Sequence, residues 1–208
     1  LRQRFPDLYV FHCRPAMDLG VWAMRHADAS FTVNEWAALE GIPGMGPQPV
    51  NVLLGDKIRH WGRIRVQHHF FPHYLDSPQV FAAPKSMPQY GKLDWQRDKL
   101  DYILLSALSS SPNQTYYLPT QAGIPAEDKR QIKRWLDWGR ANINVLFVRK
   151  DLPDWPAPGK VDGSAHIVGD CDLVLLFNPD ARPASGEFAL TLESIGPQSG
   201  TLPGVNLS

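Results

Sequence analysis

The sequence predicts an α/β fold that changes architecture near residue 150. Three observations carry that expectation. Strand-like and helix-like runs alternate through the first part of the chain. A long amphipathic helix is expected over about 126–147. Beyond it, three prolines between 153 and 158 forbid a helix, and short apolar runs separated by Gly, Asp and Pro read as strands. The expected organisation is a helix-rich unit over 1–150, a proline-rich linker over 151–160 and a β unit over 161–208.

Each element has its own local signal. LYVFHC at 8–13 is a short apolar run after a proline, and SFTVNEW at 30–36 is rich in β-branched and aromatic residues, so both read as strands. Between them Leu19, Trp22 and Ala23 sit at roughly helical spacing. Strand, short helix, strand is the signature of a layer with a parallel sheet. GIPGMGPQPVNVLLG at 41–55 is dense in Gly and Pro and reads as a loop. A helix resumes at Asp56, a fair N-cap, with Ile58, Trp61, Ile64 and Arg65 about one turn apart, and Pro72 interrupts it. A further helix is expected over 94–109, with Trp95, Ile103, Leu104, Ala107 and Leu108 on one face and Asp94 at its start. SSSPNQTYYLPTQAGIP then reads as a loop. In the helix over 126–147, Ile132, Trp135, Leu136, Ile143, Leu146 and Phe147 form the apolar stripe, and Glu127 and Asp128 suit the positive end of the dipole. VDGSAHIVG, DLVLLFNP and EFALTLE are the strand candidates of the β unit.

Composition narrows the function classes. With 21 Lys plus Arg against 21 Asp plus Glu, the chain has no long-range field to attract phosphates, so nucleic acid is not an expected partner. No apolar run approaches the ~20 residues that cross a bilayer, and a membrane is not expected either. Seven Trp, six Tyr and nine Phe either pack a core or offer stacking surfaces for sugar rings. Cys13 and Cys171 cannot make a disulfide framework; they form one bridge or remain two buried thiols. The opening LRQRFPDLYVF, without an initiator Met or a signal-type core, points to a fragment or a processed product.

Candidate chemistry gathers at two strand ends. Asp28 immediately precedes the second strand and Glu35 lies at its end, next to Asn34 and Trp36. In a parallel sheet the carboxyl ends of the strands face the ligand crevice. Glu35, with polar and aromatic neighbours, suits a general acid with a raised pKa, or else it is a solvated loop glutamate. His12, Cys13, Arg14 and Asp18 follow the first strand, where an Arg could clamp a hydroxyl pair or brace a loop. His69 and His73 have the i, i+4 spacing of zinc ligands, with His68 beside them, but Pro72 intervenes and no HExxH accompanies them, so no metal is expected. There is no GxSxG elbow and no Gly-rich phosphate loop after a strand. Asn113-Gln114-Thr115 and Asn206-Leu207-Ser208 are glycosylation sequons.

Three stretches carry a resemblance to a family. PDLYVFHCRPAMDLG is similar to a late barrel strand, and ADASFTVNEW to the strand after it. DYILLSALSSSPN through RWLDWGRANINVLF, then DGSAHIV and DLVLLFNP, resembles last barrel helices leading into a β-sandwich. The order looks like the latter part of a retaining α-galactosidase-type glycoside hydrolase, of families 27, 31 and 36. The resemblance implies the C-terminal portion of a (β/α)8 barrel followed by an antiparallel β-sandwich-like segment. It implies a carbohydrate substrate, no cofactor, and a location that is secreted or periplasmic. Carried over to this chain, it makes Glu35 the acid/base and Arg14, Asp18, Asp28 and Trp36 substrate-binding residues. The chain departs from the family by placing Asn34 where the acid/base aspartate is expected, with Glu35 next to it. The nucleophilic aspartate of these enzymes comes from an earlier strand, so the resemblance also implies a partner: the remaining N-terminal barrel portion or another chain. The alternative is a non-catalytic carbohydrate-binding or structural protein on a degenerate barrel.

Overall fold

The computed structural model describes residues 3–13, 26–31, 54–69, 72–81, 99–117, 125–169, 171–180 and 182–187. Over these residues the fold is mixed α/β. Helices and short parallel strands alternate first, and a three-stranded antiparallel sheet follows. Neither a closed barrel nor a sandwich of two sheets is formed among the described residues.

The parallel strands are short and sequential. β1 (Phe11–Cys13) pairs with β2 (Ala29–Phe31) in parallel, Phe11 opposite Ala29 and Cys13 opposite Phe31. β2 pairs in parallel with β3 (Asp76–Ser77). Pro78 has no N–H to give to a ladder, and beyond it β4 (Gln79–Phe81) pairs in parallel with β5 (Thr115–Tyr117). The segment 115–117, expected as loop from its Pro- and Asn-rich flanks, is therefore a strand. The helix expected between β1 and β2 and the strand residues beyond Phe31 lie outside the described residues.

Three long helices pack together. α1 (Leu54–His69) ends before Pro72, as the sequence expects, but it starts two residues earlier than expected, so Asp56 lies within its first turn rather than at the N-cap. A 3-10 turn at His73–Leu75 follows it. α2 (Leu100–Ser110) follows Lys99 at its N-cap and runs to Ser110; the start expected near Asp94 lies outside the described residues. α3 (Ala126–Ala141) carries Glu127 and Asp128 in its first turn and Arg140 in its last. The core lies between these helices: Ile58, Leu100, Ile103, Leu104, Ala107 and Ile132 form one buried cluster, flanked by Trp135 and Leu136. The helix expected to run to 147 breaks at Asn142, whose amide nitrogen donates to the Trp138 carbonyl, and resumes as the short α4 (Ile143–Leu146). Among the described residues no helix is long and apolar enough to cross a membrane.

The C-terminal sheet comprises β6 (Lys150–Asp151), β7 (Asp162–His166) and β8 (Leu173–Phe177), each antiparallel to its neighbour. Gly169, at φ +99°, turns the chain between β7 and β8, and the Asp172 carboxylate accepts from the Val168 and Gly169 N–H groups. The strands expected at DGSAHIV and DLVLLF are thus present, and EFALTLE lies almost wholly outside the described residues.

Candidate functional site

The described residues concentrate their buried polar chemistry at one place, where α1 and α2 meet the C-terminal sheet. Every residue of β7 is buried, although Asp162, Ser164 and His166 are polar. α1 supplies the matching charges. Asp56, Arg59 and Arg63 are all buried, at 2–4% exposure, and so is Arg65, which faces Asp76 of β3 at 3.6 Å instead. Charged side chains take such positions only when paired.

Arg59 is the centre of the first group. Its Nε and Nη2 donate to the two oxygens of Asp162 at 2.6 and 2.8 Å, a bidentate fork. Nη2 also donates to Asp56 and to the Tyr102 oxygen at 2.9 Å each, and Nη1 to Ser106 Oγ at 2.5 Å. The guanidinium lies 4.0 Å over the Phe177 ring and 5.0 Å from the Tyr102 ring. Tyr102 donates its hydroxyl to Asp56. Burial works to lower the Arg59 pKa, but Asp162, Tyr102 and Asp56 more than reverse it, and the guanidinium stays charged. Burial raises Asp162 against the pull of Arg59, and it also raises the Tyr102 hydroxyl, keeping it a neutral donor.

Arg63, one turn further along α1, anchors the segment 151–154. It donates to the Leu152 carbonyl at 2.6 Å, to that of Asp154 and, at 3.4 Å, to that of Pro153; its head lies 4.6 Å over the Trp155 ring. Trp155 also meets His60 at 5.0 Å between centroids. The three-proline segment is thus held to α1 through its own backbone carbonyls.

A third group surrounds Arg149. It donates to the Ser110 carbonyl at 2.7 Å and forks onto Asp151 at 3.0 and 2.5 Å. Nearby, Ser109 Oγ, Ser164 Oγ and His166 Nε2 form a chain with two 2.8 Å links that crosses from α2 to β7. His73 Nε2 lies 3.1 Å from the Leu146 carbonyl. Burial, then the charge of Arg149, lowers the pKa of both His73 and His166 to about 4. Both rings are neutral at pH 7.

Chemically this join is a sealed brace. Its buried serines, histidine and carboxylates lack the access that a substrate needs, and Asp56, Asp162 and Asp151 are each engaged by an arginine within the fold. Local sequence carries little warning of it. Asp56, Arg59 and Arg63 share one face of α1 by the 3.6-residue period, and that run of charge among Ile58 and Ile64 was the one available signal.

Of the residues expected to bind substrate, Asp28 alone is described. It lies at the amino end of β2, and its carboxylate accepts from the Val10 N–H at 2.6 Å while its own N–H donates to the Val10 carbonyl at 2.8 Å. That position braces the start of the sheet, at the edge opposite the carboxyl ends of the strands. Tyr9 nearby has its hydroxyl raised by burial and by the Asp28 charge. Arg14, Asp18, Glu35 and Trp36 lie outside the described residues. α1 ends at His69 and His73 sits in the turn after Pro72, so the two do not share a helix; among the described residues no group of three or more His, Cys, Asp or Glu could hold a metal. Cys171 is exposed and unbridged, not a buried thiol or half of a disulfide. In the first sequon, the Asn113 side-chain amide donates to the Tyr74 carbonyl.

Comparison with protein-family profiles, with curated proteins and with solved structures finds no match to this chain.

Proposed function

We propose that this chain is part of a carbohydrate-active enzyme, a retaining glycoside hydrolase acting on α-galactosides or related glycosides, to which it contributes at most the acid/base. The observation that carries this reading is the order of the parallel strands. β2 lies beside β1 and β3 beside β2, and in a second sheet β5 lies beside β4, with α1 between β2 and β3 and α2 between β4 and β5. Stepwise order with intervening helices is what a (β/α)8 barrel requires, whereas a doubly wound sheet reverses its order at a switch point. The antiparallel sheet after α4 stands where the family's C-terminal sandwich begins.

In such a barrel the chemistry belongs to the loops at the carboxyl ends of the strands. Arg14 and Asp18 follow β1 in sequence, and Glu35 and Trp36 follow β2. Glu35 serves as acid/base, Arg14 and Asp18 bind sugar hydroxyls, and Trp36 stacks on a sugar face. Asp28 acts at one remove, by fixing the start of β2. The nucleophilic carboxylate comes from another barrel strand, about 5–5.5 Å from Glu35 in a retaining geometry. Phe5, Leu8, Tyr9 and Phe11, leading into and along β1, are 38–59% exposed, which suits an edge covered by a further barrel strand. The same reading places the protein outside the cytoplasm.

Asn34, at the position where the family's acid/base is expected, favours a second reading: a carbohydrate-binding or structural protein without turnover. One experiment separates the two. The longest polypeptide that carries this chain is incubated with 4-nitrophenyl α-galactoside and titrated calorimetrically with galactose. Release of nitrophenol with retention at the anomeric carbon supports the hydrolase; binding without release supports the second reading; neither removes both.

A further inference from the structure

The join between α2 and β7 contains a histidine that, among the described residues, no carboxylate is free to balance. His166 is wholly buried, and its Nε2 is the end of the Ser109–Ser164–His166 chain. Its Nδ1 completes no hydrogen bond of good geometry, though the Val148 backbone lies beside it. The charged groups that face it are few. Arg149, at the start of β6, is buried and acts on both His166 and His73. Asp151 on β6 is the nearby carboxylate, and it is already engaged by Arg149, by Arg63 from α1 at 3.8 Å and by Gln67 from α1 at 3.4 Å. α2 contributes only serine hydroxyls and the Ser110 carbonyl, which Arg149 occupies. The turn before β3 contributes His73, whose own charge would oppose that of His166.

From this geometry we infer an acid-operated latch: the neutral His166–Ser164–Ser109 chain holds the C-terminal sheet to α2, and protonation of His166, with His73 beside it, releases the sheet while the helical core remains folded. This inference stands apart from the glycosidase reading. A proton on His166 makes both ring nitrogens donors, so Nε2 must donate to Ser164 and Ser164 must turn its own hydrogen toward Ser109. It also leaves a second cation beside Arg149 in a buried site whose nearby carboxylate, Asp151, Arg149 already engages. Moving β7 away from α2 lets solvent reach the ring. The cluster of Ile58, Ile103, Leu104 and Ile132 joins the three helices and includes no residue of β7 or β8, so it is expected to stay closed.

Hydrogen–deuterium exchange on the full chain, corrected for intrinsic rates, tests the latch between pH 7.5 and pH 4.5. The expected result is a loss of protection across 160–178 at least tenfold larger than the loss across 100–108. Equal loss in both segments, or loss in neither, overturns it. The double variant His73→Gln and His166→Gln keeps an amide in place of each ring and cannot take the proton. In it the difference between the segments should vanish; an unchanged difference overturns the latch. Should that variant fail to fold, the pH dependence of histidine C2–H exchange in the unaltered chain decides. Midpoints for His73 and His166 below about 5 support the latch, and midpoints near the ordinary value of about 6.5 overturn it.

Discussion

Replacing Arg59 with alanine would leave Asp56 and Asp162 buried without their cation, because Arg59 is their shared donor at 2.6–2.9 Å. Removing one partner of a buried pair costs about 3–5 kcal/mol. A fall of that size in urea unfolding free energy is expected, and a loss below about 1 kcal/mol would mean the carboxylates find water. Gly163 is a second sensitive position. A Cβ there would fall 2.0 Å from the Leu175 carbonyl oxygen, which is backbone and cannot swing aside. Gly163→Ala is expected to cost about 3 kcal/mol, the upper end of the usual range for overpacking, measured the same way. The buried histidines set the pH dependence. Their folded pKa values are depressed to about 4 from an ordinary 6.5, so the folded state binds fewer protons than the unfolded one. Their contribution is complete above pH 6.5 and is lost as the pH falls toward 4, by about 3 kcal/mol for His166. None of these partners was legible from local sequence. Arg59 and Asp162 are separated by 103 positions, and no local pattern reports a contact of that range. What the sequence did contain was unusual charge on an otherwise apolar helix face.

At the scale of elements, the signal followed length and period. α1, α2 and α3 repeat apolar residues every three or four positions, and each is present close to where the pattern puts it. The strands of the C-terminal sheet are five residues each in β7 and β8 and were equally visible. β4 and β5 have three residues apiece and depend on each other across 36 positions, so neither has enough pattern to stand out from the prolines around it. α3 stops at Asn142 because that side chain caps the Trp138 carbonyl, a local hydrogen bond that competes with helix continuation. Ser110, one residue past the expected end, closes α2, where its carbonyl accepts from the Arg149 head. The helices share their core, which gives a prediction at this scale. Leu104→Ala removes a fully buried side chain from the cluster that joins α1, α2 and α3. The expected cost is about 2–5 kcal/mol, with faster amide exchange in all three helices. Acceleration confined to α2 would mean that the helices are not coupled through that residue.

For the molecule as a whole, the antiparallel sheet that follows α4 is docked onto the helices. Arg59, Arg63 and Arg149 tie the segment 151–162 to α1 and α2. At pH 7 fluorescence and far-UV circular dichroism should therefore report one coincident unfolding transition, and two separate transitions would mean the sheet folds independently. The candidate catalytic residues are a different matter. Arg14, Asp18, Glu35 and Trp36 were proposed from strand ends and from a family resemblance, and they lie outside the described residues. The most direct test is the rate of 4-nitrophenyl α-galactoside hydrolysis by the longest polypeptide that carries this chain, compared with its Glu35→Gln variant. A rate at least a hundredfold lower in the variant, within the range that a general acid/base supplies, is the expected result. Equal rates in the two proteins would contradict it.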